Sequence, residues 1–151
     1  CRVLRDAHPH YCCQQADATI ARILKTAYHA SVADFKDQPE KEYDELLGAC
    51  VKGLVPIFWI IESLSHNPRV QTSLGVFEGY QAIAGRIDRL FEKTQGHWPD
   101  RQACWICMRG ELTSIMEMMA IRFQPPNADE ITLARQEVLN QQDLPNQIAA
   151  A

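Results

Sequence analysis

Two cysteines one helical turn apart, Cys104 and Cys107 in the run Cys-Trp-Ile-Cys, are the residues whose type and spacing speak most directly of chemistry. On a helix that step puts both sulfurs on one face. A dithiol so placed could close a reversible disulfide, and a nearby helix N-terminus would lower a thiol pKa. Pro99 reads as the first residue of the helix, which puts Cys104 within about two turns of its start. The βαβ unit in which such a dithiol serves as a redox centre is missing from the pattern.

Metal binding is the second chemistry. His8, His10, Cys12 and Cys13 place four zinc-ligand side chains within six residues. With Cys104 and Cys107 they could complete a tetrahedral nitrogen–sulfur site. Zinc is the one cofactor this set suggests, and a chain of 151 residues can bury a core without it. A second CxxC at finger-like spacing is absent. In a simple up-and-down order the first and fourth helices would run antiparallel, so their starts would meet only if a connection crossed over. The competing reading makes Cys12, Cys50 and Cys104 small apolar core residues and leaves His8 and His10 on a solvated arm. A disulfide from Cys12 or Cys13 to Cys1, Cys50 or the CxxC pair is a third possibility, and spacing does not choose among these.

Spacing excludes other chemistries. No Glu is followed by His three residues later, as a di-iron bundle requires. Glu62 and His66 are four apart, which reads as a surface pair on a helix. The sequence holds no His-Glu-x-x-His, Gly-x-Ser-x-Gly, phosphate loop or dinucleotide fingerprint. The balance therefore lies with a protein that is not an enzyme.

A last constellation is apolar. Trp105, Met108, Met116, Met118, Met119 and Phe123 lie on the same expected helix as the CxxC. Methionine adapts to partner helices and apolar ligands. Residues 116, 118 and 119 cannot all face one core, so Met118 at least is expected outside. Phe58 and Trp59 belong to a second apolar concentration, Leu54 to Ile61, which is apolar without exception.

The elements that position these residues read as helices throughout. Cys12, Ala16, Ile20, Ile23, Leu24, Ala27, Tyr28 and Phe35 recur at helical steps from Tyr11 onward. Asp37 and Pro39 end that helix, and Pro39 opens a second with acids in its first turn. The segment Leu54–Ile61 is expected as a central helix buried on every side, kinked or restarted at Pro56. A membrane span is disfavoured, because the apolar run Leu46–Ile61 is 16 residues, holds Lys52 and is broken by Pro56, where a span needs about 20. A third helix is expected from Pro68 to Gln95, a fourth from Pro99 to the Pro125-Pro126 stop. A short fifth begins at Asn127, with Glu130 completing a capping box. The fold class is all-α, four long helices plus a short C-terminal one, in an orthogonal or up-and-down bundle. The expected organisation is an irregular arm at 1–10, one domain at 11–142 and a frayed tail at 143–151.

Charge narrows the partners. The formal net charge is −4, and the densest charge run, Asp34 to Glu45, holds six acids and two lysines. Nucleic acid is disfavoured, since phosphate neutralisation calls for a basic face. Arg86, Arg89, Lys93 and Arg101 alternate with Asp88, Glu92 and Asp100 and read as an exposed, ion-paired helix face. The first residue is Cys, not Met, which suggests a processed start, and cysteine usage favours the cytoplasm. The function expected is a non-enzymatic interaction or regulatory module. It would associate with itself as a homodimer, or bind a protein partner or small apolar ligand, through Phe58, Trp59, Trp105, Met108, Met118 and Met119. The alternative is a zinc or thiol-redox protein centred on Cys104 and Cys107.

Overall fold

The computed structural model describes residues 14–32, 40–71, 74–95, 101–122 and 124–150. Seven helices, and no strand, occur among the described residues: α1 (Gln14–Ser31), α2 (Glu40–Lys52), α3 (Val55–Ser65), α4 (Pro68–Gln71), α5 (Leu74–Gln95), α6 (Arg101–Met118) and α7 (Ala128–Ala150). The all-α class follows from the periodicity. The count differs: the expected third helix divides into α4 and α5, and the fifth, expected to be short, is 23 residues long.

α1 is the hub of the bundle. It packs against α7, α6, α2 and α3, while α2 also meets α7, α3 meets α5, and α5 meets α6. Its buried residues Ile20, Leu24, Ala27 and Ala30 follow steps of three and four, which keeps them on one face. They join Cys50, Leu54, Ile57, Ile83, Ile87, Trp105, Leu112, Ile115 and Val138 in one continuous core. Burying a side chain of the Leu, Ile or Met class contributes about 1.5–3 kcal/mol relative to exposure, so the central stripe outweighs any single polar contact.

The polar ties are few and specific. Tyr80 on α5 is buried, and its hydroxyl donates to Asp17 Oδ1 at 2.6 Å. Asp17 sits in the first turn of α1, where a carboxylate suits the helix dipole. At the other end of α1, Arg135 on α7 donates to the carbonyls of Val32 (3.1 Å) and Ala30 (3.5 Å). A cation from a neighbouring helix thus satisfies carbonyls that have no partner within α1. Ser31, buried there, donates its hydroxyl to the Tyr28 carbonyl at 2.6 Å.

The break between α2 and α3 has a local cause. Proline at 56 has no N–H for the Lys52 carbonyl, and its ring crowds that carbonyl. The chain tightens there into three-residue steps, Leu54 N–H to Val51 at 3.1 Å and Ile57 N–H to Leu54 at 3.1 Å. Gly53 fits this turn, since a Cβ on it would stand 3.2 Å from the Ala49 carbonyl oxygen. The helix therefore restarts at Val55 with Pro56 in its first turn, one residue before the restart expected from sequence.

α6 stops earlier than expected. It ends at Met118, well before Pro125-Pro126. Ala120 turns into the left-handed region at φ 55°. The Ile121 N–H bonds the Met116 carbonyl at 2.9 Å, and the Ala120 N–H bonds that of Glu117 at 3.0 Å. Those two bonds define a Schellman stop, with Ala in the position glycine usually takes. Ile121 then folds back onto the core, the apolar contact that accompanies this cap.

α7 starts as its sequence prescribes. Asn127 Oδ1 accepts the Glu130 N–H at 2.8 Å, and Glu130 Oε1 accepts the Asn127 N–H at 3.2 Å. This reciprocal pair is a capping box built with Asn. The helix then continues to Ala150, through the segment expected as a frayed tail.

Candidate functional site

The cysteine pair lies in the first half of α6. Cys104 is buried and Cys107 is half-buried, and both are free thiols. Burial pushes the Cys104 thiol above its ordinary value, and the neighbouring Cys107 adds to the rise. A thiol held protonated is a poor nucleophile and a poor metal ligand. The activation that a helix start was expected to supply is therefore outweighed at Cys104 by desolvation. Cys50 on α2 is a free, fully buried thiol pushed up to about 12 by burial, against a smaller opposing effect from Arg135. Cys50 and Cys104 pack as small apolar residues.

His8, His10, Cys12 and Cys13 lie outside the described residues, as do Cys1 and the first ten residues as a whole. Among the described residues, no group of three His, Cys, Asp or Glu side chains stands close enough to hold a metal ion. Cys104 and Cys107 alone do not make such a group.

The Met-rich face expected on α6 is mostly core. Trp105, Met108 and Met116 are fully buried. As interaction residues, Trp105 and Met108 are corrected: they stand where α6 faces the bundle interior. Met119 is half-buried against the core, and Met118 is exposed near the end of the helix. With Trp105, Met108 and Met116 buried, that face of α6 offers no open apolar groove.

The apolar segment of α3 departs from expectation in the opposite direction. Only Ile57, Ile61 and Leu64 of α3 are buried. Phe58 is half-buried and meets Phe91 of α5 edge to face, with ring centroids 5.4 Å apart. Trp59 is 65% exposed. Val55 and Ile60 are half-buried, while Glu62, Ser63 and His66 are exposed. Residues 55, 59, 62 and 66 follow helical steps of four, three and four, so they share the outward face of α3. An all-apolar segment was expected to be buried all round. Here α3 lies at the edge of the bundle with one face covered and one left open. By length and composition the stretch Asp44–Ser65 could cross a membrane, at a mean hydropathy of 1.6 over its best window, and the turn at Gly53–Leu54 divides it.

Two cations of the basic stretch, Arg86 and Lys93 of α5, are ion-paired, though not along their own helix. Glu111 of α6 takes Lys93 Nζ at 3.0 Å on one oxygen and Arg86 Nη2 at 3.4 Å on the other. A carboxylate between two cations about two turns apart staples α5 to α6. Its partners could not be read from spacing, because the acid comes from another helix. Comparison with family models, with curated proteins and with solved structures finds no match. The functional reading of the chain rests on these contacts alone.

Two features escaped the sequence entirely. One is Arg135, whose spacing on α7 gives no sign that it reaches the end of α1. The other is an open cleft of about 470 Å³ where α1 faces the connection from α6 to α7, lined by Lys25, His29, Arg122, Gln124, Pro125 and Glu130. Lys25 and His29 are one turn apart on α1, a weak signal by itself. Arg122 joins them only because α6 stops at Ala120.

Proposed function

We propose that this chain is a non-enzymatic helical interaction module that pairs with a second copy of itself through the outward face of α3. The observation that carries this reading is Trp59, 65% exposed on the most apolar helix among the described residues. Exposed single apolar residues are ordinary. A tryptophan bordered by half-buried Val55 and Ile60 on an otherwise apolar helix is not solubility-neutral, and tryptophan is the residue most enriched where binding energy concentrates.

The charges around it favour a second copy over an unrelated partner. Lys52 and Glu62 are both exposed: Lys52 ends α2, just before the turn that leads into α3, and Glu62 lies in the last half of α3. Pair two α3 helices antiparallel about a two-fold axis near Ile57. Residue 59 of one protomer then faces residue 55 of the other, and residue 62 runs toward the partner's α2–α3 turn, beside residue 52. Lys52 meets the partner's Glu62, and Trp59 packs on the partner's Val55. An isologous interface repeats each contact twice, so this pairing sets a lysine against a glutamate at both of its ends. The missing catalytic motifs and the protonated, buried Cys104 speak for interaction over thiol chemistry.

The test is sedimentation equilibrium with a charge swap. Lys52→Glu is expected to weaken association, as is Glu62→Lys, by about threefold to tenfold each. The double variant Lys52→Glu/Glu62→Lys is expected to restore it. Association that ignores both single changes, or a double variant no tighter than the singles, overturns the antiparallel pairing.

A further inference from the structure

We infer that the cleft between α1 and the α6–α7 connection binds a small phosphate-bearing anion through Lys25, His29 and Arg122. This cleft shares no residue with the outward face of α3, so it stands or falls independently of the self-association.

The argument begins with charge. The chain as a whole carries −4, yet this cleft gathers two permanent cations and a histidine around one carboxylate. Among the described residues, no carboxylate lies within ion-pairing distance of Lys25 or Arg122, whereas Arg86 and Lys93 elsewhere are tied to Glu111. Cations brought together without a counter-charge repel one another, and an anion between them removes that cost. The one carboxylate among the described residues of the cleft, Glu130, also serves the start of α7, where its Oε1 accepts the Asn127 N–H. It suits the helix terminus there, while its remaining charge opposes an anion in the cleft and is outnumbered by the cations.

Geometry then selects the ligand. Lys25 and His29 project from one face of α1, one turn apart, and both are half-buried, which restricts their motion. Arg122 approaches from the facing connection, positioned by the Schellman stop two residues before it. A guanidinium presents paired N–H donors that match a phosphate better than a point charge does. Lysine adds a compact charge, and the Gln124 amide offers a donor and an acceptor to a neutral portion of the ligand. A volume of about 470 Å³ suits a small molecule. The open shape leaves it accessible from solvent.

Pyrophosphate titration followed by calorimetry and amide-resolved NMR tests this on the intact chain. The expected result is saturable binding, with shifts concentrated at residues 25–29 and 122–130. Arg122 is exposed, in a connection, so Arg122→Ala should fold as the parent does by circular dichroism, and it should weaken binding about tenfold. Glu130→Gln keeps the capping box, since glutamine serves that position, while removing the one carboxylate among the described residues of the cleft. It should tighten binding severalfold, a result that damage to the fold would not produce. Non-saturating shifts spread over Arg86, Lys93 and other surface cations, or affinities unchanged in both variants, overturn the assignment.

Discussion

Replacing Ala120 with glycine should stabilise this protein, although glycine ordinarily weakens a helix. Ala120 sits at φ 55°, two residues past the end of α6, where the Schellman bonds of Ile121 and Ala120 close the helix. A residue with a Cβ costs about 1–2 kcal/mol in that region. Glycine removes that cost and returns about 0.4–1 kcal/mol through the added freedom of its unfolded chain. The difference is a gain of about 0.5–1 kcal/mol. For a chain of this size that gain raises the midpoint of thermal unfolding by roughly 1–4 °C. Urea unfolding followed by circular dichroism reads it as a shifted midpoint at constant slope. Ala120→Val is the converse probe, since a β-branched side chain is disfavoured there more strongly. Were α6 to continue to Pro125, position 120 would be a helix interior and Ala120→Gly would cost about 0.5–1 kcal/mol instead. The sign of the change decides, and a loss would refute both the early stop and the placement of Arg122 that depends on it.

Two other perturbations follow from the same packing. Arg135→Met removes the two bonds to the Ala30 and Val32 carbonyls while keeping most of the side-chain volume. The expected cost is about 1–3 kcal/mol, with the loss visible in the urea midpoint, and an unchanged midpoint would deny Arg135 its capping role. Cys50 makes stability pH-dependent: its folded thiol holds its proton to about 12, against 9.0 as the ordinary value. The folded state thus binds the proton more tightly, so this contribution is intact below pH 9.0 and is lost as pH rises from there toward 12. The steepest slope is about 1.4 kcal/mol per pH unit. Comparing wild type with Cys50→Ala isolates it from the lysines and tyrosines titrating in that range, and parallel curves for the two would contradict it.

What was legible in the sequence is what local rules govern. The periodicity of Ile20, Leu24 and Ala27 gives α1, the missing N–H of Pro56 gives the restart of α3, and Asn127 with Glu130 gives the start of α7. What was not legible depends on which elements become neighbours. The stop of α6 uses Ala where glycine is the usual signal, and the burial of Trp105 and Met108 depends on the helices packed against α6. The α3 segment looked buried because composition reports apolarity and not how many neighbours exist to cover it. Phe91 covers Phe58, and Trp59 is left outside. Glu111 pairs with Arg86 and Lys93 across two helices, and Arg135 reaches α1 from α7, contacts that no spacing within one helix can encode. Of the chemistry, the buried state of Cys50 and Cys104 agrees with their reading as core residues, while His8 to Cys13 fall outside the described residues.

Native mass spectrometry of the untagged chain, prepared without reductant or chelator, tests the central claim most directly. Trp59 on a two-fold interface counts twice, and at about 2 kcal/mol for each copy its removal should weaken pairing by roughly a thousandfold. The account predicts a metal-free dimer with every thiol reduced, and a monomer for Trp59→Glu at the same concentration. A wild-type monomer at roughly tens of micromolar would leave the α3 face without a self-partner. A mass heavier by one zinc, lost on acidification, would return the chemistry to Cys104, Cys107 and the segment from His8 to Cys13.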